Sequence, residues 1–224
     1  MTHIPKQLAG ERAAQYVEDD MIVGLGTGST AFFTIQKLGQ RIAQGLKIKG
    51  IPTSEQSRQQ ALAENIPLID FDQTTHLDLT IDGADEIDPQ FNLTKGGGGA
   101  LLREKIVAQN SAIEIIVVDP SNWVKHLGAY PLPVEVVPFG WQATLKHIAQ
   151  LGCKPKLRLL SNAPILTDNG NYILDCDFKT ITDPPTTEKT INAICGVVEC
   201  GLFTNLAHRV IIGHSDGTVE EKVL

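Results

Sequence analysis

The sequence predicts an α/β protein: a Rossmann-like domain with a mostly parallel sheet, carrying an inserted, ferredoxin-like small domain. Three observations lead there. Short apolar strands alternate with helical patterns up to residue 118. A glycine-rich turn joins the first strand to an amphipathic helix. Near Pro131 and Pro133 the rhythm changes to the order β-α-β-β-α-β.

Residues 6–17 read as a helix that ends at Glu18-Asp19-Asp20. The apolar run Met21-Ile22-Val23 leads into Gly24-Leu25-Gly26-Thr27-Gly28-Ser29-Thr30, after which Phe32, Ile35, Leu38 and Ile42 recur at helical spacing. Strands are expected at 48–51, 67–69, 77–81 and 113–118, with helices at 55–64 and 100–109. Such alternation implies a parallel sheet covered on both faces. In the second part, 134–137, 156–160, 172–175 and 196–200 read as strands, and 140–151 and 186–194 as helices. Residues 209–212 and 218–223 read as strands returning to the first sheet. The expected domains are therefore 1–130 with 205–224, and an insert at 131–204.

Composition narrows the function. With 19 Lys and Arg against 26 Asp and Glu, the 224-residue chain carries a net charge of −7. That argues against a general nucleic-acid binder, which needs a basic surface to displace counterions from phosphates. No apolar run is long enough to cross a bilayer. Residues 1–10 lack the basic-then-apolar layout of a secretory leader, so the cytoplasm is the expected location. Cys153, Cys176, Cys195 and Cys200 form no CxxC pair and read as buried, reduced thiols. The six histidines (His3, His76, His126, His147, His208 and His214) show no metal-ligand spacing, and no Gly-x-Ser-x-Gly elbow occurs.

Three segments can carry chemistry. The turn at 24–30 fails the GxGxxG fingerprint at Ser29 and lacks a P-loop lysine. Its hydroxyls at Thr27, Ser29 and Thr30, at a helix N-terminus, suit a small phosphate; an ordinary N-cap at Ser29 or Thr30 is the alternative. Asp82-Gly83-Ala84-Asp85-Glu86-Ile87-Asp88 follows an apolar strand, so a tight turn would present Asp82 and Asp85 to one cleft. A solvated acidic loop and a magnesium site are the other readings of that segment. Lys95-Gly96-Gly97-Gly98-Gly99 precedes a helix bearing Glu104. Four glycines in a row are costly to order unless backbone must approach something closely. Glu104 shares a helix face with Leu101 and Ala108, and burial there would raise its pKa toward that of a useful base. A flexible linker before a surface helix is the alternative. Together these groups suit moving a proton between adjacent carbons of a phosphorylated sugar, where a carboxylate base and a stabilised enediolate are required. No nucleotide site for hydride or phosphoryl transfer is found.

The motifs Gly26-Thr27-Gly28-Ser29-Thr30, Asp82-Gly83-Ala84-Asp85-Glu86 and Lys95-Gly96-Gly97-Gly98 with Arg103-Glu104-Lys105 resemble those of the A-type ribose-5-phosphate isomerase family. The resemblance continues, in order, through Pro131-Leu132-Pro133-Val134-Glu135-Val136, Thr167-Asp168-Asn169-Gly170-Asn171 and Gly196-Val197-Val198. It implies interconversion of D-ribose 5-phosphate and D-ribulose 5-phosphate in the pentose phosphate pathway, with no metal or organic cofactor. By motif match Glu104 would carry the proton between C2 and C1. Asp82 and Asp85 would handle ring opening and hydroxyl protons, and Lys95 would steady the enediolate. Thr27, Gly28, Ser29 and Thr30, with Gly83, Ala84, Gly96, Gly97, Gly98 and Lys6, would line the sugar phosphate site. The family also implies a homodimer or homotetramer, the small domain serving as lid and oligomerisation surface.

One departure stands out: the family commonly has a lysine where this chain has Asn122, which brings no charge to a phosphate. Lys125, three residues on, compensates if a helix starts there. Two rival functions remain: a non-catalytic sugar-phosphate sensor, which would not need Glu104 or Lys95, and a CoA transferase or sugar lactonase on a related fold.

Overall fold

The structure, a computed structural model, describes residues 4–224; His3 lies outside the described residues. In chain order the elements are α1 (Ile4–Ala13), β1 (Ile22–Leu25), α2 (Ala31–Ala43), β2 (Lys49–Pro52), α3 (Glu55–Ala63), β3 (Leu79–Asp82), β4 (Glu86–Ile87), β5 (Leu93–Thr94), α4 (Leu101–Gln109) and β6 (Glu114–Val118). There follow β7 (Leu132–Val136), α5 (Trp141–Ala149), β8 (Lys154–Leu157), β9 (Leu159–Leu160), β10 (Ala163–Pro164), β11 (Tyr172–Asp177), α6 (Pro184–Asn192), β12 (Val197–Cys200), β13 (Leu202–Phe203), β14 (Arg209–Gly213) and β15 (Val219–Val223). Two compact units result. The first holds residues up to Ala84, Arg103–Trp123 and Leu206–Leu224; the second holds Asp85–Leu102 and Val124–Asn205.

The first unit is built on a six-stranded sheet ordered β15-β14-β6-β3-β1-β2. Every neighbouring pair is parallel except β14 with β15. Side chains alternate across the pleat, so Val23 and Leu25 of β1 pack with Ala9 and Ala13 of α1, Ile35 and Leu38 of α2 and Ala61 of α3. Ile22 faces the other way, into a cluster with Ile51, Leu77 and Val107 of α4. Helices thus cover both faces, as a parallel sheet requires.

The second unit contains a four-stranded antiparallel sheet ordered β12-β7-β11-β8. With α5 between β7 and β8, and α6 between β11 and β12, it has the ferredoxin-like arrangement. Leu132, Val134, Val136, Leu174 and Cys176 pack on Ile148 and Ile191 of the two helices. A separate three-stranded sheet, β13-β5-β4, ties residues 85–102 into this unit.

Several elements differ from the sequence expectations. Residues 85–102 cluster with the smaller unit, because β5 pairs with β13 rather than with the large sheet. The strand expected at 67–69 is a single bridge, Leu68 to Gly50, beside a proline that has no N–H to donate. The strand expected at 156–160 breaks at Arg158. Its far part, β9, pairs with β10 across Ser161-Asn162, whose two positive φ angles suit a tight hairpin turn. Helix α1 stops at Ala13 and tightens into a 3₁₀ turn. Cys153, Cys176 and Cys200 are buried thiols, but Cys195, in the turn after α6, is exposed.

The edge strand β15 is fastened by charge. Glu221 accepts hydrogen bonds from Arg12 in the last turn of α1, from Tyr16 just after that helix, and from Arg209 on β14 at 2.9 Å. Burial acts to raise the Glu221 carboxyl, but the Tyr16, Arg12 and Arg209 donors prevail and hold it below the usual carboxylate range. A carboxylate depressed in the folded state adds stability above its unfolded pKa, and that contribution is lost as pH falls through the folded value. Glu221→Gln should therefore cost about 1 kcal/mol near pH 7, allowing for partial exposure, and much less well below pH ~4. Thermal melts at both pH values check this; an equal penalty at both would refute it.

Candidate active site

Strands β1 and β3 are neighbours, Leu25 lying opposite Ile81, so their C-terminal ends open side by side where the strand order reverses. Ligands of open α/β sheets bind at such a point. Asp82 ends β3, and its Oδ1 accepts the Thr27 N–H at 3.0 Å and the Gly83 N–H at 2.7 Å. A Cβ on Gly26 would lie 2.4 Å from that same oxygen. Glycine at 26 is what lets the carboxylate seat against the turn. Gly83 and Ala84, half-buried, follow directly.

Thr27 serves the turn itself. Its hydroxyl lies 2.7 Å from Thr53 Oγ1 and donates to Ser54 Oγ at 2.7 Å, because the end of β2 runs beside it. Ser54 in turn caps α3 in a capping box with Ser57. Gly28 and Ser29 are the exposed part of the turn, whereas Thr30 is buried. Thr30 occupies the N-cap position of α2 but makes no side-chain capping hydrogen bond. Ser29 Oγ accepts from Lys6 Nζ at 2.8 Å, and Lys6 Nζ lies 3.9 Å from Asp119 Oδ2. Lys6 and the hydroxyl turn are thus brought together. Asn122 Oδ1 accepts the Asp119 N–H at 3.2 Å within the capping box of a short 3₁₀ turn. No helix starts at Lys125, which sits exposed in a bend.

In the second unit the acids of the 85–88 stretch divide by their donors. Glu86 Oε1 accepts the Tyr130 N–H at 2.8 Å, and Oε2 accepts the Gly128 N–H at 2.8 Å and the Thr94 hydroxyl at 3.1 Å. Asp88 accepts the N–H groups of Gln90 and Asn92 and the Asn92 side chain, closing the β4–β5 turn. Asp85 Oδ2 instead accepts the Gly97 N–H at 2.8 Å. Here again a side chain would intrude: a Cβ on Gly97 would lie 2.4 Å from Asp85 Oδ1 and 2.8 Å from the Tyr130 hydroxyl. Burial, and then the Asp85 charge, raises the Tyr130 hydroxyl above its ordinary pKa. Gly96, at φ +101°, adopts a conformation that suits glycine, and the Gly99 N–H closes a turn onto Gly96 O at 3.0 Å. Gly98 lies exposed at its tip. Lys95 is 2% exposed, with Nζ 5.4 Å from the Phe203 ring centroid.

Glu104 stands in the first turn of α4, the helix that follows this loop, and is 5% exposed. Leu101 and Ala108, on its face, are buried too, as the helical spacing predicts. The N-terminal turn is where the helix dipole favours a negative charge. The chain thus buries one lysine and one glutamate, holds two aspartates on backbone amides, and sets Lys6 beside the hydroxyl turn.

Residues 49–217 match the family model of ribose 5-phosphate isomerase A, also called phosphoriboisomerase A. The chain belongs to that family. It is 52% identical over 216 residues to the ribose-5-phosphate isomerase A of Bacillus mycoides, covering 96% of this chain and 98% of the relative. It superimposes with a TM-score of 0.95 on a D-ribose-5-phosphate isomerase solved in complex with phospho-erythronic acid, at 40% identity over 98% of this chain and 97% of that one. The ribose 5-phosphate isomerase A of Methanocaldococcus jannaschii gives a TM-score of 0.93 at 39% identity, covering 98% of each. Nothing in these likenesses points to a sensor, a CoA transferase or a lactonase.

The sequence reading of this isomerase-family chain missed Glu86 as a loop anchor, Tyr130 beside Asp85, Phe203 beneath Lys95, and Arg158. The Thr53-Ser54 pair was legible in principle, since it ends a strand next to β1. The two glycine positions 26 and 83 give a test. Gly26→Ala should displace Asp82 and destabilise by about 1–3 kcal/mol. Gly83→Ala, whose Cβ meets nothing closer than 3.8 Å, should melt like the wild type. Equal melting temperatures for the two variants would contradict the packing of Asp82 on the turn.

Proposed function

We propose that the chain interconverts D-ribose 5-phosphate and D-ribulose 5-phosphate through an enediolate, as a step of the pentose phosphate pathway. The observation that carries this reading is the buried Glu104 carboxylate at the head of the helix that follows the Lys95–Gly99 loop. Glu104 takes the proton from C2 of the open-chain aldose and returns it to C1, while a hydroxyl proton passes from O2 to O1. C2 is oxidised and C1 reduced within one molecule, so the balance needs no external redox partner.

Asp82 and Asp85 serve ring opening and the hydroxyl protons; the amide groups that fix each carboxylate support those roles. Lys95 supplies positive charge to the enediolate. Gly28, Ser29 and Thr30 with Lys6, and the backbone of Gly83, Ala84 and Gly96–Gly98, bind the sugar phosphate. Thr27 acts through the backbone it anchors. The phospho-erythronic acid bound by a structural relative, a phosphorylated polyhydroxy acid, fits the same chemistry: anionic oxygens at the end remote from the phosphate resemble an enediolate.

In this reading the enzyme works in the cytoplasm as a homodimer or homotetramer, with the second unit as lid and contact surface. Among the described residues no helix is long and apolar enough to cross a membrane. Leu160, 72% exposed, and Leu166, 64% exposed, provide apolar surface for self-association on the second unit.

Glu104→Gln should lower kcat by about 10²–10⁴-fold with KM changed only a few-fold. Wild-type turnover in deuterated water, followed by NMR, should place label at C1 of the ketose. Near-normal turnover of the variant would remove Glu104 from the role. Asn122→Lys should lower KM for ribose 5-phosphate, because it adds a cation beside the Lys6–Asp119 pair at the hydroxyl turn. Steady-state kinetics check this, and an unchanged or raised KM would place Asn122 outside the phosphate site.

A further inference from the structure

We infer that Arg158, held by Asp175, is a positioning residue for catalysis: it locks the Gly96 and Gly97 peptide planes so that their amides face Asp85 and the substrate. The inference rests on the catalytic reading of Asp85 and the Lys95–Gly99 loop given above.

Arg158 sits where the expected strand breaks between β8 and β9, and nothing in the sequence pattern marks it. Its Nη1 donates to Gly96 O at 2.9 Å and to Gly97 O at 3.1 Å. The other edge of the guanidinium forks onto Asp175 of β11, with Nε to Oδ2 at 2.9 Å and Nη2 to Oδ1 at 2.5 Å. Arg158 and Asp175 side chains are only 15% and 29% exposed. Burial works against the guanidinium's charge, but the Asp175 hydrogen bonds and charge prevail and raise its pKa.

The consequence follows from peptide geometry. A trans peptide is planar, so its C=O and the next residue's N–H point in opposite directions. Turning Gly96 O toward Arg158 therefore turns the Gly97 N–H away from it, and that N–H is the one that donates to Asp85 Oδ2 at 2.8 Å. Turning Gly97 O toward Arg158 likewise turns the Gly98 N–H to the opposite side, at the exposed tip of the turn. Glycine has the freest backbone of any residue, so a run of four leaves these planes undetermined unless something external fixes them. Two carbonyls on one nitrogen, with the fork on a carboxylate behind it, provide that fixation. Lysine lacks the planar fork and cannot bind Asp175 and both carbonyls in the same way.

The pair Arg158–Asp175 is thus one step removed from the chemistry. It should affect the orientation of Asp85 and the loop amides more than the affinity for the ligand as a whole. Arg158→Met should lower kcat by about 10–100-fold, the scale of a small misplacement of catalytic groups. KM should move less than about threefold, and Arg158→Lys should recover only part of the loss. Asp175→Asn, a nearly isosteric change, should lower kcat in the same direction and carries the test if Arg158→Met does not fold. Added guanidinium should restore turnover to Arg158→Ala, which a purely structural loss would not show. Placed on Asp85→Asn, Arg158→Met should cost little more, since both act on one element.

Wild-type kcat in Arg158→Met and Asp175→Asn, with Glu104→Gln and Asp85→Asn strongly slowed, would overturn the inference and leave the isomerase reading intact. So would full multiplicativity of Arg158→Met with Asp85→Asn. Near-normal turnover of Glu104→Gln and Asp85→Asn would instead overturn the catalytic reading, and this inference with it.

Discussion

Two aspartates of the chain depend on the same device: a carboxylate seated on a backbone amide at a place where a side chain would collide with it. Asp82 accepts the N–H groups of Thr27 and Gly83, and a Cβ on Gly26 would occupy the space of its Oδ1. Asp85 accepts the Gly97 N–H, and a Cβ on Gly97 would do the same to it. An aspartate has two rotatable bonds, and a proton relay needs one orientation of its oxygens. Amide donors give that orientation without introducing a competing charge. The glycines are therefore part of how each carboxylate is set, and the parallel pairing of β1 with β3 is what delivers the first of them to Asp82.

The same reasoning separates acids that share a loop. Four carboxylates fall within residues 82–88, yet they meet different donors. Glu86 receives two amides and a hydroxyl, and Asp88 receives two amides and a carboxamide. Both are absorbed in holding β4, β5 and the Tyr130 segment. That scaffold in turn fixes Asp85, whose own N–H pairs with Thr94 O. Composition alone makes these side chains equivalent; hydrogen bonding separates Glu86 and Asp88, which brace the scaffold, from Asp82 and Asp85, which sit on glycine turns.

Most of the architecture was legible because it rests on local periodicity. The apolar stretch around Val23, the helical spacing of Ile35 and Leu38, and the βαββαβ order each write their period into the chain. What was not legible depended on distant pairing. Residues 93–94 join β13, more than a hundred residues away, so nothing local assigns 85–102 to the second unit. Within the site, the glycine turns and Glu104 announced themselves through rare residue patterns. Arg158 did not, since a basic residue on a strand is ordinary until the chain folds and its guanidinium meets two carbonyls. Thr27 shows a related limit: a hydroxyl beside a helix start suits a phosphate, and only the fold shows that the end of β2 brings Thr53 and Ser54 to it.

Burial gives the remaining constraint. Lys95 and Glu104 are among the least exposed charged residues of the chain, although ionisable groups ordinarily stay in water. For moving a proton between two carbons of one sugar, that cost has a clear return. A base held away from bulk solvent keeps one orientation toward both carbons, and an enediolate shielded from bulk solvent is not lost to side reactions. Low dielectric also strengthens the attraction between a lysine and the developing negative oxygen. The phosphate end makes the opposite demand. It stays charged throughout, so hydroxyls, amides and the partly exposed Lys6 suffice there. The proposed chemistry asks for a dry reacting group and a wetter anchoring group, and the burial of Lys95 and Glu104, set against the exposure of Ser29 and the partial exposure of Lys6, is in keeping with that proposal.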